Sequence, residues 1–262
     1  MSEVRRGYLP TPAGQVHYRR VDPPHPARTP LVCLHQVPNS SQTFAALLPR
    51  LGSDRLVLAL DTPGFGMSDP IIGEQRLVDY ATVLQAAIGA ARLTQVDLLG
   101  YHTGAAIAAA IATATPMLVR RVVLCAVPVF DGAERASLGA QPPIPFDLDG
   151  DWVREEWRRT VRWRGPGQDD AGLLRSFAEK LRPGARERGA TAIAAYDTAA
   201  ALAAIYQPLL ILRPRDDLWQ ATGRARKLRP DARDAELPDF GHGLFDAAAP
   251  EVEALLRSFL DS

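Results

Sequence analysis

The chain has no surplus of either charge, no long apolar run, and very little cysteine or lysine. Thirty basic residues balance thirty acidic ones, for a formal net charge of +0. A chain without net charge has no field to draw in a polyanion, so neither nucleic acid nor an anionic membrane is an expected partner. The most apolar stretch, "AAIAAAIATA" (105–114), is short and small-residued. It is about half of what a bilayer span needs and reads as a buried helix. The opening "MSEVRRGYLPTPAG" has no apolar core of the signal-peptide kind. The 2 cysteines, Cys33 and Cys125, are too few for a disulfide framework. Both lie in apolar, strand-like runs and read as buried free thiols. Lysine occurs only at Lys180 and Lys227; the other basic residues are arginine. The expected setting is the cytoplasm and the expected partner a small molecule, with a homodimer left open.

What is present is a strand–helix alternation. The 262 residues, 47% hydrophobic and 23% charged, suffice for one large domain. "QVHYRRV" (15–21) alternates like a half-exposed strand. "PLVCLH" (30–35), "RLVLALD" (55–61), "QVDLLG" (95–100), "RRVVLCAV" (120–127) and "PLLILRP" (208–214) are continuous apolar runs, as in strands covered on both faces. Helical patterns separate them: "SQTFAALLPRL" (41–51) behind a Ser cap, 76–93, 103–115, and a last helix at 249–260. The segment "DARDAELPDFGHG" (231–243) reads as a weaker strand and a loop. From about 129 to 205 the rhythm breaks. Helical pieces such as "WVREEWRRTVRW" alternate there with loops such as "GAQPPIPFDLDGD" and "RGPGQDD". The expected fold class is therefore α/β, a mostly parallel central sheet flanked by helices. Residues 1–128 and 206–262 form the expected core, and 129–205 an inserted helical lid.

Four chemically rich stretches fall at predicted strand ends, where open α/β sheets build their sites. They are "LHQVPNSS" (34–41), "DTPGFGMSD" (61–69), "GYHTG" (100–104) and "FGHG" (240–243). An acidic pair, Asp216–Asp217, follows the strand at 208–214. This order resembles the α/β-hydrolase fold superfamily over almost the whole chain. His35-x-x-Pro38 is similar to the family's oxyanion loop, with Gln36 where glycine is usual. "DTPGFGMSD" resembles its D-x-P-G-x-G-x-S loop, and "GYHTG" its nucleophile elbow, a strand–turn–helix with the nucleophile at the centre. Asp217 in "LRPRDD" matches the family's acid, although a shift of one residue would make it Asp216. His242 matches the terminal catalytic histidine. In such a sheet the strands of Cys33 and Cys125 are two spacings apart, roughly 9–10 Å, too far for a disulfide.

The departure is His102, which stands where the family carries Ser, Asp or Cys. "HQ" with "HTGA" resembles a bacterial subgroup whose elbow is G-x-H-T-G. The resemblance implies catalytic roles for His102, Asp217 and His242, with His102 facing His242. It also implies an oxyanion hole of the Val37 and Thr103 N–H groups. His35, Gln36, Tyr101, Trp152 and Trp157, and beside them Trp163, are the expected substrate contacts. Two facing imidazoles cannot both ionise cheaply. Asp217 is expected to favour the proton on His242 and leave His102 as acceptor. The expected reaction is cofactor-free hydrolysis of a small, largely apolar carbonyl compound by an activated water. A lyase, isomerase or cyclase reaction and a ligand-binding pseudoenzyme are the alternatives. A zinc site made of His35, His102 and His242 is a further alternative; the expectation is no metal.

Overall fold

The computed structural model describes residues 3–73, 75–139, 147–182 and 184–262. Most of the expected loop "GAQPPIPFDLDGD" lies outside them. In chain order the strands are β1 (Arg5–Thr11), β2 (Gly14–Val21), β3 (Leu31–Leu34), β4 (Val57–Leu60), β5 (Val96–Tyr101), β6 (Val119–Cys125), β7 (Leu209–Pro214) and β8 (Arg233–Leu237). The helices are α1 (Leu48–Leu51), α2 (Leu77–Ala90), α3 (Thr103–Ala114), α4 (Gly132–Gly139), α5 (Asp151–Arg162), α6 (Asp170–Lys180), α7 (Ala185–Ala194), α8 (Thr198–Ala204), α9 (Trp219–Leu228), α10 (Leu244–Ala247) and α11 (Ala249–Leu260). The strands form one eight-stranded sheet in the order β1-β2-β4-β3-β5-β6-β7-β8. It is parallel from β4 to β8, and only β2 pairs antiparallel with its neighbours.

The continuous apolar runs become the inner strands because both faces of the sheet are covered. Alternate side chains enter opposite cores. Val32, Leu34, Leu98 and Leu124 pack with α2 and α3. Leu31, Cys33, Leu99 and Cys125 pack with α1, α10 and α11. The strand order β3-β5-β6 places β5 between the two cysteines, which are free and buried. The helix expected over 41–51 is instead a 3-10 turn at Ser41–Phe44 followed by α1, whose first turn holds Pro49. Proline supplies no N–H to continue a helix through that point. Strand β1 was missing from the expected pattern; it is an edge strand that is largely exposed. Between β6 and β7 the described residues hold five helices, α4 to α8. The last, α8, packs on α3 and α9 and so lies with the core helices.

A buried carboxylate ties the loops beneath the site together. Asp61, at the end of β4, accepts from the Ser41 N–H at 2.6 Å and the Met67 N–H at 2.9 Å, and contacts His17 Nδ1 at 2.8 Å. A Cβ on Gly66, where φ is +55°, would fall 2.1 Å from its Oδ2, so glycine is required there. Burial alone would raise the Asp61 pKa, but the bonds from His17, Ser41 and Met67 outweigh it and bring it down to about 2. A carboxylate depressed in the folded state stabilises the fold above its unfolded pKa and loses that contribution as pH falls through about 2. The depression corresponds to about 2 kcal/mol. Asp61→Asn is expected to lose at least about 2 kcal/mol at pH 7. It should also flatten the acid limb between about pH 4 and pH 2, as read by denaturant unfolding across that range.

Candidate active site

The site is built at the carboxyl ends of β3, β5, β7 and β8. The elbow is the sharpest turn among them. His102 joins β5 to α3 with φ +51° and ψ −118°, a positive φ that residues with a side chain seldom adopt. The turn closes only because its neighbours are small. A Cβ on Gly100 would meet Gly104 O at 2.3 Å, and one on Gly104 would meet Leu34 O at 2.1 Å. The His102 N–H donates to Cys125 O on β6, which anchors the strained residue to the sheet. Thr103 begins α3, so its N–H has no partner within the helix. That N–H and Val37, in the loop after β3, both border the cavity.

Two histidine–carboxylate pairs meet here. His102 Nε2 lies 2.9 Å from Asp216 Oδ2 and 3.9 Å from Asp217 Oδ1. His242 Nε2 lies 2.8 Å from the same Asp217 oxygen. The rings stand 5.0 Å apart. The expectation of one acid therefore resolves into two: Asp216 serves His102 and Asp217 serves His242. Asp216 is fully buried at its side chain, and its Oδ1 also accepts the Leu218 N–H at 2.9 Å. His102 is thus no free acceptor at Nε2. Burial disfavours its charged form, yet the adjacent Asp216, aided by Asp217, raises its pKa above the ordinary value. Asp217 is held far below the usual carboxylate range. Its desolvation opposes this, but the bond with His242 and the two imidazoles prevail.

The cluster opens into a cavity of about 560 Å³. Gln36, Val37, Tyr101 and Thr103 border it, as do His102, Asp217 and His242. Three expected contacts do not. His35 is fully buried, with Nδ1 donating to Gln36 O at 2.7 Å and Nε2 accepting the Thr62 N–H at 2.9 Å. Both nitrogens are thus spent on holding the oxyanion loop, so no three-histidine zinc site forms. Trp157 packs edge-on against Phe177 on the far side of α5, and Trp152 also lies off the cavity wall. Trp163 is the tryptophan that reaches the site, its ring 6.3 Å from that of His242. The segment "RGPGQDD" docks beside it. A Cβ on Gly165 would lie 2.4 Å from His242 O, a contact that only the folded chain reveals. The wall supplied by the residues between β6 and β7 is mixed, with charged side chains beside apolar ones such as Leu138, Leu173 and Ile193. Arg159, Lys180 and Arg186 border it, and the buried Glu156 pairs with Arg186. On α7, a Cβ on Gly189 would fall 2.3 Å from Val37 Cγ2, so this helix sits directly on the loop after β3.

These strand-end loops, the elbow between β5 and α3, and the order of the sheet define a class. The chain belongs to the alpha/beta hydrolase fold family, whose model matches residues 29–162. It is 27% identical over 245 residues to a pyrrolizixenacetamide deacetylase of Xenorhabdus hominickii, covering 88% of this chain and 90% of that one. It is 29% identical over 208 residues to a 2-hydroxy-6-oxo-2,4-heptadienoate hydrolase of Pseudomonas putida, covering 73% of each. Among solved structures, an esterase of Exiguobacterium antarcticum superposes with a TM-score of 0.82 at 18% identity, over 98% of this chain and 100% of that one. An enol-lactonase of Burkholderia xenovorans gives 0.81 at 18% identity and the same coverage. Among the described residues no helix is long and apolar enough to cross a membrane.

Tyr101 is buried, and its hydroxyl has no hydrogen-bond partner among the described residues. An unpartnered buried hydroxyl carries a desolvation penalty that its removal relieves. Tyr101→Phe is therefore expected to leave stability unchanged or raise it by about 1 kcal/mol, measured by thermal unfolding. A loss of more than 1 kcal/mol would mean that the hydroxyl has a structural partner.

Proposed function

We propose that the chain is a hydrolase that attacks a small carbonyl-containing molecule directly with water, without a covalent intermediate on the elbow residue. The observation that carries this reading is His102 itself. The residue in the nucleophile's place is an imidazole bound to a buried carboxylate, and it faces a second imidazole bound to its own. A water held against this cluster gives up its proton to it as the oxygen attacks the carbonyl carbon. The carbonyl oxygen becomes an oxyanion and accepts the N–H groups of Val37 and Thr103. Collapse expels the leaving group, which takes the proton back from the cluster. The Asp216 and Asp217 carboxylates hold the positive charge in the interval. Asp216 and Asp217 act here as positioning and charge-balancing residues.

The names of the Xenorhabdus and Pseudomonas relatives, a deacetylase and a hydrolase, support hydrolysis over lyase, isomerase or cyclase chemistry. A receptor pseudoenzyme has no need of two histidine–carboxylate pairs in its pocket. The charged residues Arg159, Lys180 and Arg186 on the mixed wall favour a substrate that carries a polar group beside its apolar part. The reaction would run in the cytoplasm on a freely diffusing small molecule.

The test uses a panel of small esters, amides and enol-lactones that the unmodified protein is screened against. His102→Ala is expected to lower turnover by about 10²–10⁴ on whichever substrates it accepts. It leaves the buried Asp216 with the Leu218 N–H alone, for a stability loss of about 1–3 kcal/mol. His102→Ser sets a hydroxyl opposite His242 and Asp217. It should show a burst of acyl-enzyme on activated esters that the parent lacks, visible by intact-mass spectrometry. Serine-directed organophosphates should add no mass to the unmodified protein. Full turnover in His102→Ala, or a stoichiometric adduct on Ser40, Ser41 or Ser68, would overturn the reading.

A further inference from the structure

The two histidine–carboxylate pairs differ from a proton relay in one geometric respect. In a Ser-His-Asp arrangement the carboxylate holds Nδ1 and leaves Nε2 for the reacting partner. Here both Nε2 atoms point inward at carboxylate oxygens. His102, Asp216, Asp217 and His242 each offer one ligand atom, a ring nitrogen or a carboxylate oxygen, and these four atoms all lie within 4.8 Å of one another. They come from three separate loops, after β5, β7 and β8. Among the described residues neither Nδ1 has a hydrogen-bond partner, and no lysine or arginine pairs with either carboxylate. Two adjacent carboxylates, one of them wholly buried, thus share one spot with Lys180 near enough to act on Asp217 but not paired to it. Burying such charge is costly unless it is paired or bound to metal.

We infer that His102, Asp216, Asp217 and His242 form a binding site for one divalent transition-metal ion of the zinc class, held by two imidazole nitrogens and two carboxylate oxygens. This donor set suits zinc, with bonds of about 2.0–2.2 Å and ligand atoms about 3.3 Å apart in a tetrahedron. The three contacting separations of 2.8, 2.9 and 3.9 Å bracket that edge, while the widest pair falls within 4.8 Å, so centring an ion among the four needs side-chain movement of about an ångström. Binding brings the local charge of the two carboxylates from −2 to zero. Each neutral imidazole moves its proton from Nε2 to Nδ1, so the nitrogen lone pair reaches the metal. The cavity side of the cluster is open, which leaves room for water as a further ligand. That water loses its proton more readily on the ion, to the second oxygen of the half-exposed Asp217 or to solvent. The inference rests on the water-attack reading for its catalytic meaning, but the binding site stands or falls alone.

The experiment is metal binding by the full chain, stripped with a chelator and dialysed. Calorimetric titration with Zn²⁺ is expected to give one ion per chain. Titration with Co²⁺ should develop visible absorption bands of an ordered nitrogen–oxygen site, and Zn²⁺ should raise the unfolding temperature. His242→Ala and Asp217→Asn, each checked for native circular dichroism, should weaken Zn²⁺ binding by about 100-fold or more, since even outer-shell changes cost 10–100-fold. Asp217 is half exposed, so its amide variant tests the site even where the histidine variant folds poorly. His25→Ala, in an exposed loop, should bind as the parent does. No stoichiometric binding, or binding equally strong in both site variants, would overturn the inference. Binding that survives while His102→Ala keeps full turnover would sink the hydrolytic reading and leave the metal site standing. Loss of turnover in His102→Ala without any metal binding would do the reverse.

Discussion

The whole site depends on how closely α3 approaches the sheet. Gly104 lies against the carbonyl of Leu34, and Gly100 against that of Gly104, at distances that leave no room for a side chain. This approach forces the residue between β5 and α3 into a left-handed backbone and lifts its side chain above the sheet. An alanine-rich α3, buried along ten of its residues, is what permits a helix to sit so near. The same closeness brings the N-terminus of α3 beside the oxyanion loop. One packing constraint therefore sets both the position of His102 and that of the first N–H groups of α3.

A second layer of support holds the loops around the elbow. Asp61 gathers the Ser41 and Met67 N–H groups and His17, and His35 spends both ring nitrogens on the main chain of its own loop and of Thr62. Neither residue touches the cavity, yet they shape the surface on which Val37 rests. From above, Gly189 of α7 lies on Val37 and Gly165 lies on His242. The helical segment between β6 and β7 thus meets the rest of the chain at the loop after β3 and at the second histidine. Arg186, paired with the buried Glu156, borders the cavity there beside apolar residues such as Leu173 and Ile193.

At the elbow, a histidine in place of a hydroxyl or carboxylate changes what the surrounding acids do. One carboxylate behind one histidine is enough to orient a base. Two carboxylates and two imidazoles, with both Nε2 atoms directed inward, make a compact multidentate cluster. Its electrostatics is that of one buried and one half-exposed carboxylate, each held against an imidazole.

The sequence by itself determined the fold class, nearly every strand and the strand-end loops. Continuous apolar runs and helical periodicity are local signals, and burial on both faces of a parallel sheet writes them plainly. It also marked His102, Asp217 and His242, because each sits in a short motif at a strand end. What it left undecided depended on contacts between residues distant in the chain. Whether Asp216 or Asp217 serves a histidine turns on which way two adjacent side chains leave one turn, and only the tertiary structure showed that each takes a different ring. His35 proved to lie off the cavity, and of Trp152, Trp157 and Trp163 only the last borders it, for the same reason. A histidine beside the oxyanion loop and a tryptophan at the end of a helix have no local pattern that says which way they face. Neighbours brought in from elsewhere in the chain, Thr62 for the one and His242 for the other, made that decision.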